Sequence, residues 1–233
     1  MRKLTKRMKL IYENIDFRKQ FSILEAINQL KILSKVKFIE SIDIAIILGI
    51  NPKKTEQNIR GNVFLPHGNG KNIKIAVFAD GKEAIQAKKL GIELVGMQDL
   101  LTKITNGEKN FDIVISTPKA MDLVTKLGPI LGPKGLMPNP KLGTITNEID
   151  KAIKNIRSGQ INFRNDKNGI IHTMIGKINF ENNKIKENLI IFLKNLKKYK
   201  PIQLKNNFIQ KIYISSTMGI ALNITKECLN LLN

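Results

Sequence analysis

Leu65-Pro66-His67-Gly68-Asn69-Gly70-Lys71 separates two hydrophobic patterns that belong to different kinds of sheet. Upstream, Ile42, Ile44, Ile46 and Leu48 alternate with Ser41, Asp43, Ala45 and Ile47, the period of two expected of a strand buried mainly on one side. Downstream, Ile73, Ile75, Ala76, Val77 and Phe78 form a near-continuous apolar run, as in a parallel sheet covered on both faces. One proline and two glycines within five residues stop regular structure, so this stretch marks a domain joint.

Before the joint, Ser22-Ile23-Leu24-Glu25 has the form of a capping box and starts a helix over 22–35, and a second strand spans 59–65. After it come a helix over 82–90, a short strand at 93–95, a helix over 98–104 and an apolar strand over 111–116. Thr117-Pro118 then supplies an N-cap with proline at the first helical position, for a helix to about 126. A helix over 147–157 ends at Ser158-Gly159, where alternation returns. Asn168-Gly169, between runs at 161–163 and 170–175, is a hairpin signal because both residues tolerate positive φ. A helix over 183–198 and a last strand over 208–216 complete the pattern.

The ends resemble each other and differ from the middle. The expected fold is therefore mixed, α/β and α+β, in two domains. Residues 1–67 and 159–233 form a discontinuous α+β domain, and 68–158 an inserted Rossmann-like α/β domain with a parallel sheet.

The chain has 233 residues, with 39 Lys and Arg against 19 Asp and Glu, a net charge of +20. An excess this large favours a polyanionic partner, and charge alone does not choose among RNA, DNA and an anionic membrane. The basic start lacks the apolar core of a signal peptide, and the most apolar run, 42–50, is too short to cross a bilayer, so no membrane partner is expected. One cysteine, Cys228, excludes an intramolecular disulfide, and with two histidines it makes a zinc cluster implausible. A reducing compartment follows.

Catalytic signals are absent. The first strand of the inserted domain ends at Phe78-Ala79-Asp80-Gly81 without a G-x-G-x-x-G, and Gly68-Asn69-Gly70-Lys71 lacks Walker spacing, so no cofactor is expected. His67, His172 and Cys228 show no nucleophile and base pairing and read as structural or contact residues. The densest unusual segment, 127–143, holds four prolines and four glycines with Lys134 and Lys141 as its charges. It reads as a stiffened loop, either a long structural turn or a contact surface for a phosphate backbone or a protein neighbour. Gly132-Pro133-Lys134-Gly135 matches the KH-type G-x-x-G, but the prolines that follow forbid its second helix.

A better RNA site lies in the outer domain. Phe38, Glu40 and Ser41 open a strand, Arg164 to Lys167 with His172 flank a hairpin, and Thr217-Met218-Gly219 ends another strand with small groups that let RNA approach. With 6% aromatics and no Trp, recognition of RNA shape and ribose 2′-OH groups is expected over base stacking.

Several stretches together resemble the ribosomal protein L-one family, the protein of the mobile large-subunit stalk beside the tRNA exit site. They are 48–54, Gln57-Asn58-Ile59-Arg60-Gly61, Leu65-Pro66-His67-Gly68, 127–144, 163–169 and Ser216-Thr217-Met218-Gly219. The resemblance implies a non-enzymatic large-subunit protein, monomeric when free, whose discontinuous domain binds stalk rRNA and whose inserted domain moves about two linkers. It implies exit-site tRNA as a further partner, with assistance to release of deacylated tRNA, and its own messenger RNA as a target of translational repression.

Carried over by position, the rRNA-binding residues are Phe38, Glu40, Ser41, Arg164, Asp166, Lys167, His172, Thr217, Met218 and Gly219, with Lys134 and Lys141 as tRNA or ribosome contacts. Ser41 stands where the family usually has Thr, Ile39 replaces a usual acidic residue and Ile220 a usual proline. The implied location is the cytoplasmic ribosome; abundant Lys, Ile and Asn point to an AT-rich genome, so the equivalent compartment of a symbiont or organelle is included. The competing readings are a nucleotide-dependent α/β enzyme, which lacks a phosphate fingerprint, and a general basic nucleic-acid-binding protein, which lacks a recognition helix.

Overall fold

A computed structural model of the chain describes residues 5–16, 19–107, 110–201, 204 and 207–225. Cys228 lies outside them. The strands are β1 (Ser41–Leu48), β2 (Arg60–Phe64), β3 (Ile75–Phe78), β4 (Leu94–Gly96), β5 (Ile113–Ser116), β6 (Gln160–Arg164), β7 (Ile170–Lys177), β8 (Ile209–Ser216) and β9 (Ala221–Ile224). The helices are α1 (Lys6–Asn14), α2 (Ile23–Leu33), α3 (Gly81–Lys89), α4 (Gln98–Thr105), α5 (Met121–Lys126), α6 (Gly128–Leu131), α7 (Ile149–Arg157) and α8 (Asn182–Lys198). The chain divides into two compact units, Met1–Ile59 with Leu65–Gly70 and Phe163–Asn233, and Arg60–Phe64 with Lys71–Asn162.

The first unit is built on an antiparallel sheet of order β7-β1-β8-β9. β1 alternates as its sequence requires, with Ile42, Ile44, Ile46 and Leu48 buried and the intervening residues half-buried. α2 and α8 pack on each other and on this sheet, burying Ile23, Ala26, Ile27 and Leu30 from one helix and Ile185, Leu189, Phe192, Leu193 and Leu196 from the other. Each of these larger aliphatic side chains contributes roughly 1.5–3 kcal/mol over its exposed state. The capping box of α2 is formed on both sides: Glu25 N donates to Ser22 Oγ at 3.3 Å and Ser22 N to Glu25 Oε2 at 3.1 Å.

One polar side chain is wholly buried in this layer. Asn188 of α8 donates from Nδ2 to Gly68 O and to Ile175 O, both at 2.9 Å, and its Oδ1 accepts from His67 N at 3.2 Å. The Pro66–Gly70 joint is thereby tied to the helix layer, and His67 Nε2 adds a 2.5 Å contact to Glu187 Oε2. Gly70 has φ +73°, and a Cβ there would meet the Phe180 ring at 3.0 Å, which accounts for glycine at this position.

In the second unit β3 runs parallel between β4 and β5, and all four of its residues are buried. Ile75 and Val77 pack with Ala87 of α3 and Ile149, Ile153 and Ile156 of α7 on one face. Ala76 and Phe78 pack with Leu100 and Ile104 of α4, Val124 of α5 and Leu131 of α6 on the other. Both faces are covered, so continuous apolarity in the strand is a packing requirement.

Four local expectations are corrected. Thr117 stands at the N-cap with Pro118 following as expected, but its side chain makes no capping bond: it is buried, its N–H goes to Phe78 O at 3.0 Å, and the element it starts is a 3₁₀ turn, Pro118–Ala120, that precedes α5. The 127–143 segment is more ordered than a loop, with α6 and a 3₁₀ turn at Pro140–Leu142 inside it. The runs around Asn168-Gly169 pair only at one antiparallel bridge, Asn165 with Ile171, and do not form a hairpin ladder, because β6 pairs with β2 and β7 with β1. Only Gly169 has positive φ, +77°, and the turn is held instead by Asp166 Oδ1, which accepts from Asn168 N and Ile170 N at 2.8 Å each. Finally, the sheet does not end at 216: β9 follows, with Leu222 and Ile224 buried, and α1 precedes everything the sequence pattern identified.

Candidate nucleic-acid interface

The end of β8 and the beginning of β1 are locked together. Ser41 N donates to Thr217 Oγ1 at 3.0 Å, and Thr217 N donates to Ser41 O at 3.2 Å. Glu40 is 1% exposed, and its Oε1 accepts from Met218 N at 2.7 Å. A carboxylate taking a backbone N–H is among the stronger hydrogen bonds a protein makes, so it fixes the turn after β8. Gly219 closes that turn, donating its N–H to Ser216 O at 3.1 Å; a Cβ on Gly219 would fall 2.3 Å from Ser216 Oγ, so a side chain there would require the Ser216 hydroxyl to move. Arg7 of α1 donates from Nη2 to Met218 O.

Around this clasp Met218, Phe38 and Ile39 are each about half-exposed, and Thr217 and Lys37 are exposed beside them. Ser41 contributes through its backbone N–H and C=O. The pattern presents fixed backbone groups and small polar side chains rimmed by apolar contact area.

Arg164, Asp166, Lys167 and His172 form a second group. Arg164 and Lys167 are exposed on either side of Asp166, which organises the turn, and His172 Nε2 lies 3.9 Å from Asp166 Oδ2. Leu48 N donates to Gly169 O at 3.0 Å, which puts this turn at the far end of β1 from Ser41. Seven strand steps of about 3.3 Å separate the two groups by roughly 23 Å. Nine of the ten residues expected to bind RNA are thus gathered at two ends of one strand rather than in one cluster, and His172, opposite Ala45, lies between them.

Sequence reasoning missed what lies between. Asp43 shares the half-buried face of β1 with Ser41 and Ala45; its register partners are Met174 and Ser215, and Ala45 is opposite His172 and Tyr213. Burial pushes the Asp43 carboxyl above its ordinary value of 3.8, and the nearby His172 opposes that rise. The alternation of β1 contained the signal, since a carboxylate on the same face as Ser41 faces away from the isoleucine core. Nothing in the sequence pointed to Arg7, which reaches Met218 across 211 positions.

The raised Asp43 pKa sets a pH prediction. A folded-state pKa above the unfolded one means that folding favours the protonated form; that contribution is complete below the unfolded pKa and lost as pH rises through the folded value. Asp43→Asn is therefore expected to raise the melting temperature at pH 7, with the gain disappearing below about pH 3.8. A gain that persists undiminished at pH 3 contradicts the burial argument.

Lys134 and Lys141 belong to the second unit, and both are exposed. Lys134 sits in the turn after α6, and Lys141 on the 3₁₀ turn, where its N–H donates to Asn139 Oδ1 at 2.9 Å. Among the described residues no group of three or more His, Cys, Asp or Glu could hold a metal ion, and no helix is long and apolar enough to cross a membrane.

Compared with known protein families, the chain matches the model described as the ribosomal protein L1p/L10e family over residues 30–220, more than four-fifths of its length. The match takes in the clasp at 40–41 and 217–219, the 164–172 group, Lys134 and Lys141, and leaves α1 outside.

Proposed function

The chain belongs to the ribosomal protein L1p/L10e family, and on that premise we propose that its first unit docks on the stalk region of large-subunit rRNA through the two ends of β1. The family is one of structural proteins of the large ribosomal subunit and not of enzymes; its members bind rRNA and are ribosome-associated. The observation that carries the finer reading is the clasp, in which a buried carboxylate and a threonine hydroxyl fix Thr217-Met218-Gly219 against Glu40-Ser41. A loop fixed by its own protein costs little further ordering when RNA binds. Small residues leave its backbone accessible, and Arg164 and Lys167 at the other end of β1 hold phosphates.

The ten proposed rRNA-binding residues all lie in the first unit, which supports a discontinuous RNA-binding domain with a second inserted in it; the expected bounds, 1–67 and 159–233 around 68–158, differ from the compact units in that Arg60–Phe64 and 159–162 fall with the second unit and 68–70 with the first. In this reading the inserted domain presents Lys134 and Lys141 toward exit-site tRNA and assists release of the deacylated form. A folded messenger segment that reproduces the stalk shape would bind the same clasp, so translational self-repression follows from the one site.

Affinity at fixed physiological salt, for a stalk-type rRNA fragment against a scrambled RNA of equal length, tests the assignment. A preference on the order of 10³-fold is expected, the scale that separates specific from non-specific nucleic-acid binding. Equal affinity for the two RNAs reduces the +20 charge to a general polyanion effect and removes the assignment.

A further inference from the structure

The C-terminal turn of α8 carries a second basic surface, distinct from both groups on β1. Lys194, Lys197, Lys198 and Lys200 fall within seven residues with no acidic residue among them. Lys194 and Lys198 are four apart on one exposed helix face, and Lys200 follows, also exposed, just before Pro201. Among the described residues Lys194, Lys198 and Lys200 have no ion-pair partner, whereas Lys184 at the other end of the helix is matched by Glu181 at 3.4 Å. A helix C-terminus attracts cations, but its dipole is equivalent to only about half a negative charge. Lys194, Lys198 and Lys200 alone exceed that several-fold, and among the described residues no carboxylate pairs with any of the three.

Tyr199 lies amid these lysines and is 37% exposed. Its ring meets Phe163 edge-on, with centroids 5.4 Å apart and planes at 86°, and Phe163 meets Phe192 of α8 in the same manner. The aromatic group at the centre of the patch is therefore held by the core and not free to fold away from a partner.

We propose that this turn of α8 is a second RNA-docking surface, on which Lys194, Lys198 and Lys200 contact the phosphate backbone of an RNA segment. The inference rests on the RNA-binding reading of the chain but not on the clasp. Lysine is a compact cation on a flexible stem, suited to phosphates and carrying no base information. The surface is expected to add affinity without adding preference for the stalk sequence.

The full-length K194Q/K198Q/K200Q variant tests this, alongside K82Q/K88Q/K89Q, which removes three exposed lysines from α3. All six positions are exposed, so the fold is expected to tolerate both changes. Affinity for the stalk fragment and for scrambled RNA is measured from about 50 to 200 mM salt. The α8 variant is expected to lower the slope of log affinity against log salt by about 2, the release expected of three phosphate contacts, with the ratio between the two RNAs unchanged and the α3 variant close to wild type. An equal fall in slope for both variants, or no fall for the α8 variant, as expected were its partner an acidic protein, overturns the proposal. A wild-type protein with no preference for the stalk RNA counts against the clasp instead, and the slopes on scrambled RNA still decide the role of α8.

Discussion

Glu40→Ala is expected to weaken binding of the stalk-type rRNA fragment by about 100-fold, equivalent to about 2.8 kcal/mol, while binding of scrambled RNA changes little. Glu40 is 1% exposed, so the effect does not come from a lost contact with RNA. Its carboxylate accepts the Met218 N–H at 2.7 Å, and removing it leaves a buried donor unpaired and a hole beside the turn. Each such loss costs roughly 1–3 kcal/mol. The Thr217-Met218-Gly219 turn then samples other conformations, and RNA must select the competent one, which lowers apparent affinity by the fraction populated. Competition binding at fixed salt measures the ratio. Ser41→Ala supplies the contrast: Ser41 bonds Thr217 through its backbone, so this change is expected to cost far less than Thr217→Val, which removes the acceptor of the Ser41 N–H. Equal losses for Glu40→Ala on both RNAs would mean that it acts on overall stability and not on the clasp.

The second large effect is on the fold. Asn188→Leu is expected to destabilise the protein by about 3–4 kcal/mol, since it removes the partners of Gly68 O, Ile175 O and His67 N at a site with no solvent access. Leucine keeps the branched heavy-atom skeleton of asparagine without its polar atoms, so no cavity is left; its bulkier methyl ends add some overpacking to the lost hydrogen bonds. Chemical denaturation gives the magnitude, and amide exchange at His67 gives the location. A loss under about 1 kcal/mol would show that water or a shifted backbone satisfies the joint without Asn188.

The elements legible in the sequence were those in which one local rule dominates. The period of two in β1, the Ser22–Glu25 capping box and the continuous apolarity of β3 each have a single physical cause, and each stands in the structure within a residue or two of its expected bounds. The errors fell where tertiary partners decide. Asn168-Gly169 carries the residues of a tight hairpin, yet its flanking strands pair with β1 and β2, and an aspartate side chain, not a second positive φ, shapes the turn. β9 was missed because its alternation, Leu222 and Ile224 around Asn223, is only four residues long and merges with an apolar tail.

The candidate site divides in the same way. The resemblance supplied the residues among 38–41, 164–172 and 217–219, but their spread along β1, with two groups at its ends and His172 opposite Ala45 between them, follows from strand register, which no local pattern encodes. Asp43 between them and Arg7 beneath Met218 are products of that register and of a contact across most of the chain.

The most direct test of the two-ended docking account is amide hydrogen exchange on the full chain, alone and with saturating stalk-type RNA. Slower exchange is expected at Ser41 and Thr217–Gly219 and, separately, at Lys167–Gly169, with no comparable change when scrambled RNA is used. Protection confined to one end of β1, or the same protection from both RNAs, would contradict it.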